Sequence, residues 1–369
     1  MVLTEFDFPF DPTLIADRPV EPRDQARLLV MPRHTGPCSH HRIAEVPALL
    51  RAGDLIVVND TKVMAVRMTG RKRPGGGRVQ LVLVREISAD TWEVLLKGQV
   101  GPGQVIDLGC RAQATVLDRG PSRTTLRIAG AYPVRELIRE IGQMPLPPYI
   151  KRVPTEADRV WYQTVFARAE GSIAAPTAGL HFTEGLLAAL RERAVGIATI
   201  TLHVGPGTFR PVRTERIQDH VMGSEWMEVS EETAEAIRRA KVNGGRVIAV
   251  GTTVVRALEA VADTEGLVRP IKNETELFIM PGYRFRVVNA MITNFHLPRT
   301  TLLMLAAAFA GTERLREAYR EAIRARYRFY SYGDAMLILL MSGTRACEGQ
   351  SCWDSDCRLE RRFRRSDVD

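Results

Sequence analysis

The sequence predicts a mixed α/β protein carrying a small all-β unit between residues 62 and 149. Two observations point there. From residue 150 to 339 short apolar strands alternate with helical stretches, the pattern of a partly parallel sheet. From residue 62 to 149 the pattern changes to period-two runs broken by Gly, Pro, Asp and Ser, which reads as a barrel or a sandwich. A chain of 369 residues is long enough to bury two such cores.

In chain order, Phe6, Phe8 and Phe10 offer packing groups before an apolar strand at 28–31. His34, His40 and His41 follow in a loop, at a spacing that matches no zinc site. Residues 54–58 read as a buried strand. It ends at Asn59-Asp60-Thr61, a turn triplet and also a candidate ligand-facing corner. The all-β runs are 79–84, 91–96, 111–117 and 124–128. Beside the first lies a glycine-rich tip with four cations, Arg71, Lys72, Arg73 and Arg78. Such a tip suits contact with an RNA phosphate backbone, and equally a solvated hairpin loop.

Beyond residue 150, helices are expected at 183–193, 230–241, 253–262 and 312–326. In the last, Leu315, Ala318, Tyr319, Ala322 and Ile323 repeat at helical spacing after a Thr312 cap. Strands are expected at 198–203, 246–250, 277–280 and 287–292. Residues 342–369 are rich in arginine and are expected to be a disordered tail adding weak RNA affinity. Cys347, Cys352 and Cys357 within it lack zinc-knuckle spacing.

The net charge of +8 favours an anionic partner such as nucleic acid. The longest apolar run, 302–310, is too short to span a bilayer, and the acidic, proline-broken N-terminus is no signal peptide. Five cysteines form no secreted framework. A cytoplasmic protein without membrane contact is expected.

Chemistry concentrates in a few stretches. Residues 171–183 (GSIAAPTAGLHFT) join small residues, which permit close approach, to Ser172, Thr177 and His181, ahead of a helix N-terminus. A strand running into Gly251-Thr252-Thr253 and a helix forms a candidate anion site. No strand ends in the glycine fingerprint of a dinucleotide fold, which argues against a Rossmann-type methyltransferase. His181, His203, His220 and His296 sit beside Gly, Pro or hydroxyl residues and suit acid–base work near neutral pH. Phe182, Phe209, Tyr283, Phe295 and Tyr332 are candidates for stacking on a base, with core packing as the plain alternative. Glu225, Arg256, Arg328 and Asp334 are charges set in apolar motifs, where charges are paired or functional.

The 171–183 stretch resembles the signature of the S-adenosylmethionine:tRNA ribosyltransferase-isomerases of queuosine biosynthesis. Five further stretches agree in order: GDLIVVNDT (53–61), LHVGPGTFRPV (202–212), GTTVVRALE (251–259), TNFHLPRTTLLML (293–305) and YRFYSYGDAML (327–337). The similarity runs from about Phe6 to Leu339. It implies a larger, open barrel-like α/β domain made of 1–61 and 150–341, with a small β-barrel, 62–149, inserted.

The resemblance also implies the reaction. The ribosyl part of S-adenosylmethionine is transferred and isomerised onto 7-aminomethyl-7-deazaguanine at the tRNA wobble position. Epoxyqueuosine-tRNA forms, and adenine and methionine leave. S-adenosylmethionine is then a consumed substrate; no retained cofactor and no metal are expected, and the enzyme is expected to work as a monomer. The four histidines share the proton transfers. Asn59, Asp60, Thr61, Ser172, Thr177, Thr208, Thr252, Thr253, Thr293 and Asn294 join the aromatic and charged residues above as binding candidates. The sequence departs from the family pattern at Gln143, Pro206, Trp161 and Gly223. Two other readings stay open. An RNA methyltransferase would leave S-adenosylhomocysteine, and a non-catalytic tRNA-binding protein would leave the donor intact.

Overall fold

The computed structural model describes residues 1–33, 36–120, 123–207 and 211–339. Its larger part is a nine-stranded open sheet. The order is Ile271–Thr275, Glu225–Val229, Gly196–Leu202, Leu55–Asn59, Val247–Val250, Ala290–Asn294, Ala335–Leu339, Arg27–Pro32 and Ser39–Arg42. The four strands from Gly196–Leu202 to Ala290–Asn294 run parallel. Ala335–Leu339 is antiparallel to Ala290–Asn294 and parallel to Arg27–Pro32.

The central strands are buried on both faces, which explains their unbroken apolar runs. Alternation along each sends its side chains to two separate cores. Leu55, Val57, Ala249 and Met291 meet helices Glu231–Val242, Thr252–Val261, Thr301–Ala310 and Thr312–Arg324. Ile56, Val58, Ile248 and Ile292 meet helix Glu184–Glu192. That helix is capped as expected: Thr183 Oγ1 accepts from Leu186 N at 3.1 Å.

Six antiparallel strands between Arg67 and Ala129 close into the inserted barrel. Met68, Val79, Leu81, Val94, Ile106 and Leu126 fill its interior, and helix Val134–Ile141 packs Leu137 and Ile138 onto the same core. A two-stranded parallel ribbon, Thr61–Val63 with Ala169–Ser172, ties the entrance of the insert to the α/β part.

Several expectations need correction. The 277–280 strand is a loop; the strand lies earlier, at Ile271–Thr275, an edge strand whose polar residues give no apolar alternation. The 287–292 strand is shifted to Ala290–Asn294. Gly311, with φ +86°, caps the 312 helix, and Thr312 is its first residue. The apolar run at 302–310 is a buried helix opened by the Thr300 hydroxyl. His40 and His41 lie on the edge strand Ser39–Arg42, paired with Glu321 and Glu45. His34, Thr208, Phe209 and residues 342–369 lie outside the described residues. No helix among the described residues is long and apolar enough to cross a membrane.

Candidate active site

Ligands of open α/β sheets sit beyond the carboxyl ends of the parallel strands. Most of the predicted residues gather there. Asn59 ends one strand, His203 follows the next, Thr252 and Thr253 follow Val247–Val250, and Asn294 ends Ala290–Asn294. The antiparallel pairings Asn294–Ala335 and Leu202–Met227 bring Asp334 and Glu225 to the same end. The 3-10 helix Thr177–His181 presents His181 to Asn294.

The histidines divide into two kinds. His181 and His296 are buried, and burial pushes both down to about 3; the Arg328 and Arg23 guanidiniums lower His181 further. His296 Nε2 lies 2.8 Å from Thr293 Oγ1, and its backbone N–H donates to Tyr319 Oη. Both histidines are therefore neutral at pH 7. His203 is half-buried: its Nδ1 is 2.8 Å from Thr61 Oγ1, and its ring stacks on Trp226 at 4.9 Å. Burial lowers it, while the Asp60 carboxylate pulls the other way. Gly171 leaves room for that ring, because a Cβ there would stand 2.6 Å from His203 Nε2. His220 is half-exposed, packs edge-on against Phe278, and is lowered by burial.

Among the charges, Arg256 pairs with Glu225, and both are buried. Arg256 Nε also donates to Leu277 O at 2.9 Å, leaving its Nη2 without a partner. Asp334 accepts from the backbone N–H of Arg27 and Arg328, so it shapes the turn that carries Arg328.

Other predicted residues are held by hydrogen bonds and packing within the protein. The Asn59-Asp60-Thr61 corner is buried and hydrogen-bonded within the protein. Asn59 Oδ1 accepts from Thr61 N and Leu202 N, and Asp60 accepts from Thr201 Oγ1 and Arg168. Ser172 Oγ bridges Ala174 O and Val204 N. Phe182 is buried against Phe166, and Phe295 against Tyr319, Tyr327 and Phe329, so neither ring is open to a base. Tyr332 is buried and donates to Asp158 Oδ1 at 3.0 Å. Tyr283 contacts Glu259, at the far end of helix Thr252–Val261, about 10 Å along the axis from its first turn.

Beside this strand end, a cavity of about 850 Å³ lies between the barrel and the returning segment 143–153. Ile173 and Ala174 of the glycine–alanine stretch line one side. Arg67, Arg78, Lys97 and Lys151 line it too, as does Arg152, which pairs with the buried Asp158; no acidic residue is among the described lining groups. Of the four hairpin cations only Arg78 lines it. Arg71 is its cross-strand neighbour, and Arg73 is held by Asp107. Arg67, Lys97, Lys151 and Arg152 went unread in the sequence. Outward alternation, Arg67/Thr69 against Arg78/Gln80, was the available signal. Among the described residues no three His, Cys, Asp or Glu converge as metal ligands do.

The profile of a family described as "Queuosine biosynthesis protein" matches residues 3–338. The chain belongs to that family. Its relatives named "S-adenosylmethionine:tRNA ribosyltransferase-isomerase" include one from Pelobacter propionicus, 49% identical over 92% of this chain and the whole of the relative. One from Moorella thermoacetica is 47% identical at the same coverage of each chain. The crystal structure of the S-adenosylmethionine tRNA ribosyltransferase of Thermotoga maritima superposes with a TM-score of 0.52 at 36% identity, covering 91% of this chain and all of that one. Gln143 and Pro206, where a departure from the family pattern is expected, line the cavity. Gln143 is held there by reciprocal backbone bonds with Arg67, which leave its side chain free of that pairing. Gly223 faces open space, and Trp161 donates to Glu21.

Proposed function

We propose that the chain is an S-adenosylmethionine:tRNA ribosyltransferase-isomerase. It moves the ribosyl part of S-adenosylmethionine onto 7-aminomethyl-7-deazaguanine at the tRNA wobble position, and releases adenine and methionine. The near-full-length family match carries this reading. The cationic cavity beside the strand-end residues supports it, since the nucleic acid and the donor must meet. In this reading the α/β part, 1–61 with 150–341, holds the donor, and the insert, 62–149, grips the RNA.

The chemistry needs a base for the acidic C5′ proton beside the sulfonium, an acid for the departing adenine, and an uncharged aminomethyl group. His203 suits the proton transfers best. It is anchored through Nδ1 and lies three residues before the cavity-lining Pro206. His181 and His296, buried and neutral, suit hydrogen bonding. Thr177, Thr252 and Thr253 stand at the strand end for the ribose hydroxyls, and Arg256 Nη2 is a spare buried donor there.

The test is a product assay with S-adenosylmethionine and tRNA carrying 7-aminomethyl-7-deazaguanine. Adenine and methionine in equal amounts, with an epoxycyclopentane added to the base, are expected. S-adenosylhomocysteine would identify a methyltransferase instead, and an intact donor on bound tRNA would identify a binding protein.

A further inference from the structure

Two buried polar atoms near His181 lack partners, and its own ring offers a further donor. Asn294 Nδ2 donates to Tyr330 O at 2.9 Å, which fixes the amide orientation. The same nitrogen lies 3.2 Å from His181 Nε2. An amide nitrogen only donates, so Nε2 must accept, and the imidazole proton must sit on Nδ1. Nδ1–H has no protein acceptor among the described residues, although His181 is only 4% exposed. Asn294 Oδ1 and Arg328 Nη2 are buried without partners.

The geometry is held deliberately. Tyr330, whose carbonyl orients Asn294, carries φ +72°, a conformation uncommon for a bulky residue. Two guanidiniums and one carboxylate surround His181, Asp334 Oδ1 lying 3.7 Å from Arg328 Nε. Arg328 and Arg23 both act on His181, and Arg23 spends its terminal nitrogens on the backbone carbonyls of Gln163 and Val160.

We propose that His181 Nδ1–H and Arg328 Nη2 bind the α-carboxylate of the donor substrate, and that Asn294 Oδ1 accepts from its α-ammonium. Two donors and one acceptor complement the zwitterionic end of an amino acid. His181 is then a neutral hydrogen-bond donor, and Asn294 is the residue that sets its tautomer. This rests on the proposed ribosyl transfer from S-adenosylmethionine.

Two measurements test it. In ¹⁵N–¹H correlation spectra of the full chain, with His181→Gln for assignment, His181 should be a neutral Nδ1–H tautomer from pH 8 to pH 6; an Nε2–H tautomer would overturn the proposal. Adenine release is then measured with S-adenosylmethionine and with its decarboxylated analogue, at saturating tRNA. Wild type should favour the carboxylated donor at least about 50-fold in kcat/KM, and Arg328→Gln should cut that preference at least about tenfold, chiefly through KM. Equal loss on both donors would overturn the subsite alone. No adenine release from S-adenosylmethionine by wild type would overturn the parent reading, while the spectra still report the tautomer.

Discussion

His181 and His296 are neutral because the fold removes them from water, and that makes stability depend on pH. Their folded values, about 3, lie below the roughly 6.5 of an unfolded histidine, so the unfolded chain takes up protons first. Stability is therefore full above pH 6.5 and falls as pH drops toward 3. Each histidine contributes up to about 1.4 kcal/mol per pH unit in that window. Carboxylate pairs weaken only below about pH 4.5, so urea unfolding between pH 6.5 and 4.5 isolates the histidines. His296→Gln should flatten the slope there; an unchanged slope would mean that His296 already carries a proton when folded. At His203 the expectation is catalytic. His203→Ala should lower turnover about 10²- to 10⁴-fold with an unchanged melting temperature. Gly171→Ala drives a methyl group into the same ring and should lower turnover at least about tenfold. Normal single-turnover rates in both variants would remove His203 from the proton path.

Among the elements, the amino ends of the central strands are tied by Asp54. Its carboxylate accepts from the Arg246 side chain, Arg246 N and Arg51 N. Burial raises its pKa, but these donors outweigh burial and hold it below the usual carboxylate range. This junction lies at the opposite end of the strands from the site. Asp54→Asn should therefore cost about 3 kcal/mol in urea unfolding and leave KM for S-adenosylmethionine unchanged; a changed KM would show that the two ends are coupled. The central strands and amphipathic helices were legible in sequence because burial on two faces or one leaves a plain apolar pattern. The edge strand Ile271–Thr275 was not, since backbone pairing alone defines it. Helix Thr301–Ala310 shows in the sequence only as an apolar run, because it is buried nearly all round and has no polar face. In the site, the motif histidines were legible. Their protonation and the bonding of the Asn59 corner were not, because tertiary burial sets the first and Leu202, 143 residues on, holds the second.

For the molecule as a whole, the cavity makes RNA affinity a matter of salt. Each phosphate neutralised contributes roughly 0.7 to 0.9 to the slope of log K against log salt. Arg67→Ala, Arg78→Ala or Lys97→Ala should each reduce the slope by about that amount, and Arg73→Ala, held by Asp107, should not. Filter binding between 50 and 200 mM salt measures it (roughly the range in which such contacts are lost). Identical slopes throughout would remove the cavity from the RNA path. The strand order has a consequence of another kind, in time. Strand Arg27–Pro32 joins the sheet only through Ala335–Leu339, the last strand described. At about 5 to 20 residues per second, roughly 15 to 60 s of synthesis separate the two. The barrel, whose pairings all lie between residues 67 and 129, is complete long before then. Through that interval Leu28, Leu29, Val30 and Met31 have no neighbour on the side where Ala335–Leu339 will sit. A nascent chain stalled before residue 335 thus presents an apolar strand with a bare edge, a natural target for chaperone capture.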